Sequence, residues 1–294
     1  MQLTSNDLVY LSECAVSAAK QAGDLIESYT TKTIAVQHKH GGDSYASQVV
    51  TEVDLLSEAI IVKRLQPSCE RYKLALLSEE SEDDKARLQN DYFWCVDPMD
   101  GTLAFIESTP GFSVSIALVA KNGTPIIGVI YDPVTHTLYT AVIGQGALRN
   151  DKPWILSSRS SIKDKPLTLI YDRGFADKHN YPQINQALLS IANRRGFKGL
   201  NTLEKNGAVM NACWVLDNPP ACYFKYPKPE KGGGSLWDFA ATAAIFHELG
   251  VIASDIYGQA LDLNRADSTF MNHRGVIFAT DQLLATDIQG LLKP

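Results

Sequence analysis

The sequence predicts an α+β half, residues 1–150, followed by an α/β half, residues 151–294, the two meeting at one cleft. Three observations predict it. Two segments within residues 5–65 have helical apolar spacing. Residues 73–142 then hold strand-length apolar segments separated by short turns, the pattern of a largely antiparallel sheet. Beyond residue 150, strand-length and helical segments alternate, as they do in α/β folds. Periodicity alone leaves the stacking of the layers open.

Leu8, Leu11, Ala15, Ala18, Ala22, Leu25 and Tyr29 step by three and four, which places them on one face of a long first helix capped by Ser5 or Asn6. A second helix is expected from Asp54 to Leu65, stopped by Pro67. The short strand KLALL (73–77) leads into an acidic loop of mobile composition, SEESEDDKA. YFWCV (92–96) follows, then FSVSIALVA (112–120) and PIIGVIYD (125–132), joined by a hairpin turn at Lys121-Asn122-Gly123-Thr124, and TLYTAV (137–142). In the second half LTLIYD (167–172), ACYFKY (221–226) and GVIFAT (275–280) read as strands. Residues 183–193, 206–216 and 235–250 read as helices, the last capped by Ser235 and stopped by Gly250, and a final helix closes the sequence.

A chain of 294 residues with 45% hydrophobic and 20% charged residues can build a substantial core. Its net charge of −6 argues against coating a nucleic acid polymer. No apolar run reaches the roughly 18 residues of a membrane span. The first residues lack a basic leader and are interrupted by Asp7, Glu13 and Asp24, so no secretory signal is expected. The five cysteines are scattered and form no C-x-x-C pair, which fits a reducing cytoplasm; Cys14, Cys95 and Cys213 fall in apolar patterns and read as core thiols. The expected state is a monomer or a homodimer.

Acids end apolar segments at four places. Asp54 opens the second helix within VTEVD, Glu79 and Glu80 end LALLSEE, Asp97 and Asp100 follow FWCV, and Asp238 lies in the first turn of the SLWD helix. Each has an ordinary explanation when taken singly. Asp238 stands three residues after Ser235, as in a capping box. Asp54 suits a helix start, and Glu79 and Glu80 suit a solvated edge. DPMDGT resists that treatment, because a turn does not explain why both acids follow a buried strand directly. If the four places converge, two carboxylates about 4 Å apart repel by roughly 4 kcal/mol at an effective dielectric near 20. Such a cluster needs protons or cations. The donors are all oxygen, with no histidine or cysteine in these segments, so Mg²⁺ is the natural ion and zinc is disfavoured.

Other features have plain readings. KGGGS (231–235) lacks the Gly-Lys-Ser/Thr ending of a phosphate-binding loop and reads as a plain loop before the Asp238 helix or as a flexible lip over a substrate. Trp237 reads as core and His247 as packing or surface. His38 and His40 precede Gly41-Gly42 in a polar loop. No Gly-x-Ser-x-Gly elbow is present, which disfavours a serine hydrolase.

Together, VTEVD, LLSEES, DPMDGT and LWDFAATAAIFHELG resemble, in order and over nearly the whole chain, the motifs of the inositol monophosphatase superfamily of Mg²⁺-dependent, lithium-sensitive phosphatases. The resemblance implies a layered α-β-α-β-α sandwich with mixed and antiparallel sheets. It implies that Glu79, Asp97 and the carbonyl of Met99 hold one Mg²⁺, that Asp97, Asp100 and Asp238 hold a second, and that a weaker third ion sits near Glu79. It implies catalytic roles for Thr102, Asp54 and Glu79, with Thr102, hydrogen-bonded to Asp54, orienting or deprotonating the attacking water. The amides of Gly101 and Thr102 would cradle the phosphate. Most metal ligands then lie in the first half, and Asp238 and the substrate contacts in the second.

LLSEE, GVIYDPV and LDLNRADSTFMNHRG look closest to the bacterial 3'(2'),5'-bisphosphate nucleotidases of the CysQ type, which makes adenosine 3',5'-bisphosphate the first expected substrate and inositol monophosphate the second. Lys225 falls where that branch carries arginine and the inositol branch a glutamate, so it is a candidate contact for a second phosphate. Its ordinary reading is a surface lysine at a strand end. Asn211 instead matches the inositol branch and is a second candidate substrate contact. NTLEKNG replaces a glycine-serine string common to both branches, and Leu103-Ala104-Phe105 lacks the lysine-glutamate pair of the nucleotidases. An idle relative that binds metal or nucleotide as a regulator is the rival of another class; the intact acid set and Thr102 speak against it.

Overall fold

The structure, a computed structural model, describes residues 2–32, 36–38, 49–156 and 164–292. Helix α1 (Ser5–Tyr29) is capped by Thr4, not by Ser5 or Asn6. The Thr4 amide donates to Asp7 Oδ2 (2.9 Å) and the Asp7 amide to the Thr4 hydroxyl (3.3 Å), a reciprocal box closed by the acid three residues on. The helix buries Leu11, Ala15, Ala18, Ala22 and Ile26. A ribbon of β1 (Val36–His38) and β2 (Val49–Thr51) precedes helix α2 (Glu52–Tyr72). The loop of His40, Gly41 and Gly42 lies outside the described residues.

Helix α2 runs through Pro67, where the sequence predicts a stop, and ends at Lys73 in a left-handed conformation (φ 52°). An interior proline costs roughly 3 kcal/mol. Tertiary contacts of the last turns offset it: Trp94 Nε1 donates to the buried Ser68 hydroxyl (2.9 Å), and the Tyr72 hydroxyl donates to Asp7 Oδ1 (2.8 Å).

A seven-stranded sheet follows the chain in order: β3 (Ala75–Ser78), β4 (Tyr92–Asp100), β5 (Ser113–Ala120), β6 (Pro125–Asp132), β7 (Thr137–Val142), β8 (Gly146–Arg149) and β9 (Lys152–Pro153). β3 and β4 are parallel and the remaining pairs antiparallel. The expected turn after β5 forms with Gly123 at φ 84°, its amide donating to the Ala120 carbonyl. Residues 81–90, whose order the sequence leaves open, are anchored. Arg87, 1% exposed, donates from Nε to Asp83 Oδ2 (3.0 Å) and from Nη1 to Asn264 Oδ1 (2.7 Å), so a buried cation ties the acidic loop down.

Helix α3 (Thr102–Ile106) leaves the end of β4. The second sheet has the order β11-β10-β12-β14-β13, with β10 (Leu167–Asp172) parallel to β11 (Leu200–Lys205) and β12 (Ala221–Lys225), and β14 (Val276–Ala279) antiparallel to β12 and to β13 (Ile252–Ser254). β11 occupies the polar LNTLEK segment that carries no strand signal, and it is an edge strand. Helices α4 (Tyr181–Arg194), α5 (Ala208–Asp217), α6 (Leu236–Glu248) and α7 (Gln282–Leu292) complete the chain.

Burial sorts these elements into five layers. Trp94, Val96, Ile116 and Leu118 pack with α1 and α2 on the outer face of the large sheet. Phe93, Cys95, Ala117 and Val119 point the other way, into a core shared with α5, α6 and the inner face of the second sheet (Tyr223, Phe278). Leu169, Cys222 and Ile277 cover the outer face of that sheet with α4 and α7. The order is α-β-α-β-α, as the resemblance implies. Strands covered on both faces read as unbroken apolar runs, which is why YFWCV and FSVSIALVA lack alternation. Among the described residues no helix is long and apolar enough to cross a membrane.

Close backbone approach fixes the inner layer. A Cβ on Gly128 of β6 would lie 2.4 Å from the Ala241 carbonyl oxygen of α6. Gly128→Val therefore forces α6 off the sheet, and overpacking of about 2 kcal/mol or more should lower Tm by roughly 5 °C or more. Gly290→Ala, in open space on α7, should leave Tm unchanged or raise it. Equal melting of the two variants in a thermal scan would contradict this packing.

Candidate active site

The site begins with an irregularity in β4. Its pairing with β5 matches Asp97 to Ser115 and Asp100 to Ser113, so three steps on β4 face two on β5. In a regular strand, residues three apart point to opposite faces. One extra residue reverses that parity and turns both carboxylates to the same side. Pro98 sits in the bulge, where its missing N–H leaves no ladder bond unmade. Its carbonyl accepts from the buried Ser57 hydroxyl of α2 (2.7 Å). The Met99 amide donates to Asp97 Oδ1 (3.0 Å). Gly101, at φ 84°, then swings the chain into α3; a Cβ there would lie 2.3 Å from the Gly111 carbonyl oxygen.

Two helix starts bring the other acids in. The α5 start meets Asp100: the Ala208 amide donates to Oδ1 (3.1 Å) and the Val209 amide to Oδ2 (2.9 Å). Asp238 is in the first turn of α6, where the Ser235 amide donates to its Oδ2 (2.9 Å), as the capping-box reading expects. Gly232, Gly233 and Gly234 all have positive φ, and a Cβ on Gly234 would sit 2.6 Å from Asp238 Oδ2. Gly234 thus packs directly against that carboxylate. Asp97, Asp100 and Asp238 each place an oxygen within 4.8 Å of the other two. Opposite ligands of an octahedral Mg²⁺ are about 4 Å apart, so an all-oxygen donor set of this span fits such an ion.

Asp54, 1% exposed, is locked by Thr51, whose amide (2.7 Å) and hydroxyl (2.6 Å) both donate to its Oδ2. Its other oxygen accepts from Thr102 Oγ1 (2.9 Å), the contact implied by the resemblance; Thr102 Oγ1 also approaches the Met99 carbonyl (3.3 Å). Burial pushes the Asp54 carboxyl above its ordinary range, against hydrogen bonds from Thr51 and Thr102. The Glu79 amide bonds the Val96 carbonyl (3.1 Å), extending the β3–β4 ladder to the site, and the Glu79 charge is felt by both Asp54 and Asp238. Burial, then repulsion from Asp238, holds Asp100 well above the usual carboxylate range. Burial, then repulsion from Glu79, pushes Asp238 up to about 6.

Lys225 and Asn211, the expected substrate contacts, are both engaged by one residue that the sequence reading does not single out. Asp172 accepts from Asn211 Nδ2 (2.8 Å) and the Tyr223 hydroxyl (2.9 Å) through Oδ1, and pairs with Lys225 Nζ (3.0 Å) through Oδ2. Its signal is present in the sequence: Asp172 ends LTLIYD as Asp97 ends YFWCV. His247 is exposed and Trp237 partly buried, neither in the acid cluster.

The raised Asp238 sets a pH dependence. Between the ordinary carboxyl value of 3.8 and about 6, Asp238 binds more proton in the folded chain than in the unfolded one. Its contribution to stability therefore rises as pH falls through this window, against the smaller opposite contribution of His247 and His273, whose pKa values burial lowers. Thermal melts in chelator should give a higher Tm near pH 5 than near pH 7.5, and Mg²⁺ at the higher pH should close the gap. A steady fall of Tm on acidification from pH 7.5 to 5 would contradict the crowded-carboxylate picture.

Residues 7–292 match the model of the inositol monophosphatase family. The chain is 32% identical over 264 residues to an inositol-1-monophosphatase of Synechocystis, covering 88% of this chain and 83% of that one. It is 31% identical over 241 residues to the Nus factor SuhB of Haemophilus influenzae, covering 82% and 83%. The crystal structure of extragenic suppressor protein suhB from Bartonella henselae superposes with a TM-score of 0.73 at 24% identity, over 96% of this chain and 97% of that one. With the match running nearly end to end, the chain belongs to the inositol monophosphatase family of Mg²⁺-dependent phosphatases and is a phosphoric monoester hydrolase.

Proposed function

We propose that the chain hydrolyses the phosphomonoester of a small polyol of the inositol monophosphate type. The observation that carries the choice is the Asp172–Lys225 pair at 3.0 Å. The ammonium expected to meet a second phosphate already has its charge matched by a carboxylate. That reverses the order of the two substrates expected from the sequence and sets the bisphosphate nucleotide second. The inositol-1-monophosphatase of Synechocystis supports the same order by its name. The five free cysteines support a reducing compartment such as the cytoplasm.

Glu79, Asp97, Asp100, Asp238 and the Met99 carbonyl would hold the Mg²⁺. Bound there, the ions supply Lewis-acid stabilisation of phosphoryl oxygens and lower the pKa of a coordinated water. The chain's own groups do the rest. Asp54, fixed by Thr51, holds the Thr102 hydroxyl through its proton, which leaves the oxygen lone pairs to accept from the attacking water and orient it. The amides of Gly101 and Thr102, at the Gly101 turn, would receive the phosphate. Asp97 and Asp100 stand on a strand buried on both faces, so the geometry is set before substrate arrives.

Phosphate release from inositol 1-phosphate and from adenosine 3',5'-bisphosphate, with Mg²⁺ and with or without Li⁺, tests the reading. Faster turnover of the inositol ester, inhibited by Li⁺, is expected; a preference for the bisphosphate would overturn the choice of substrate. No turnover of either by metal-loaded protein would favour a regulator. Asp97→Asn should lower kcat by on the order of a thousandfold with the fold intact by circular dichroism. Activity surviving in Asp97→Asn would remove Asp97 from the metal set.

A further inference from the structure

We propose that Asp172 is a positioning residue that tethers the Lys225 ammonium beside the carboxylates of Asp100 and Asp238, so that Lys225 matches part of their charge without entering the space a divalent cation needs. The inference rests on the reading of Asp100 and Asp238 as metal-holding groups.

The placement follows from strand register. β10 and β12 are parallel, with Thr168 beside Ala221 and Ile170 beside Tyr223. Continuing two residues sets Asp172 beside Lys225 at the ends of the two strands, where both side chains project on the face of Ile170 and Tyr223, toward the α5–α6 layer. Two donors on Oδ1, Asn211 Nδ2 and the Tyr223 hydroxyl, fix the Asp172 carboxylate and aim Oδ2 at Lys225 Nζ. Asn211 and Tyr223 are both fully buried, so this orientation is held by the core.

Lys225 faces the metal side as well. Its ammonium lies 5.8 Å from the centre of the Phe239 ring, next along α6 from Asp238. Burial disfavours its charge, but attraction from Asp172, Asp238 and Asp100 outweighs that and keeps its pKa above the ordinary lysine value.

A lysine ammonium is a compact charge on a flexible stem, and it goes where the field is most negative. Without Asp172, the strongest attraction in reach is the Asp100–Asp238 pair. The ammonium would settle there and compete with a divalent cation. With Asp172 in place, Lys225 occupies a second position, near enough to soften the carboxylate repulsion and far enough to leave the oxygens open.

The test is Mn²⁺ and Mg²⁺ binding by calorimetry in the absence of substrate, on wild type, Asp172→Asn, Lys225→Met and the double variant. Asp172→Asn should weaken Mn²⁺ binding by about tenfold or more, Lys225→Met should tighten it by about threefold, and the double variant should bind within about twofold of Lys225→Met alone, as expected for charges that act on one another. The decisive sign is that Asp172→Asn weakens binding with Lys225 present and not with Met at 225. An equal loss in both backgrounds means that only the acid's own charge matters and overturns the tether; so does unchanged binding throughout. Metal-free melts separate a folding defect from a binding one, and Asp172→Ser repeats the comparison if the asparagine variant does not fold. These dissociation constants decide the inference whether or not a substrate is turned over. A chain that binds metal in the expected order but hydrolyses neither ester sinks the substrate reading and not this one.

Discussion

The parity reversal in β4 is the constraint on which the site rests. A regular strand cannot present residues 97 and 100 on one face, and without the extra residue one of the two carboxylates would be driven into the packing of α1 and α2. The surroundings pin the irregularity from several sides. Ser57 holds the Pro98 carbonyl from α2, Asp97 takes the Met99 amide, the α5 start takes Asp100, and Gly101 accepts a backbone turn that other residues resist. A feature costly in isolation is thus determined by helices on both sides of the sheet.

Electrostatics sets a second demand. Burial and mutual repulsion raise the carboxyls of Asp54, Asp100 and Asp238 together, so the metal-free site stores unfavourable charge in the folded state. Backbone amides at two helix starts and the Lys225 ammonium relieve part of it from within the chain. A divalent cation relieves more, which ties ligand affinity to folding stability through the same groups.

Much of this is legible in the sequence. DPMDGT after YFWCV, the capping spacing of Ser235 and Asp238, and the apolar steps of the first helix translate directly, because each is a local rule acting on neighbours in the chain. What is not legible depends on partners far away. Pro67 reads as a stop because the bonds that carry α2 past it come from Trp94 and Asp7. The order of the 81–90 loop cannot be read because its anchor, Asn264, is 177 residues from Arg87. LNTLEK forms an edge strand by pairing with β10 and has no apolar pattern of its own. Lys225 looks like a free cation in one dimension because the strand register that brings Asp172 to it is invisible there.

Helix α6 contributes Phe239 and Phe246 to the core beneath both sheets, and its backbone touches Gly128 of the first sheet directly. Asp238 rides on that helix while Asp97 and Asp100 ride on the sheet. The three carboxylates thus share one keel, and their spacing cannot change without disturbing the packing of α6 on the sheet.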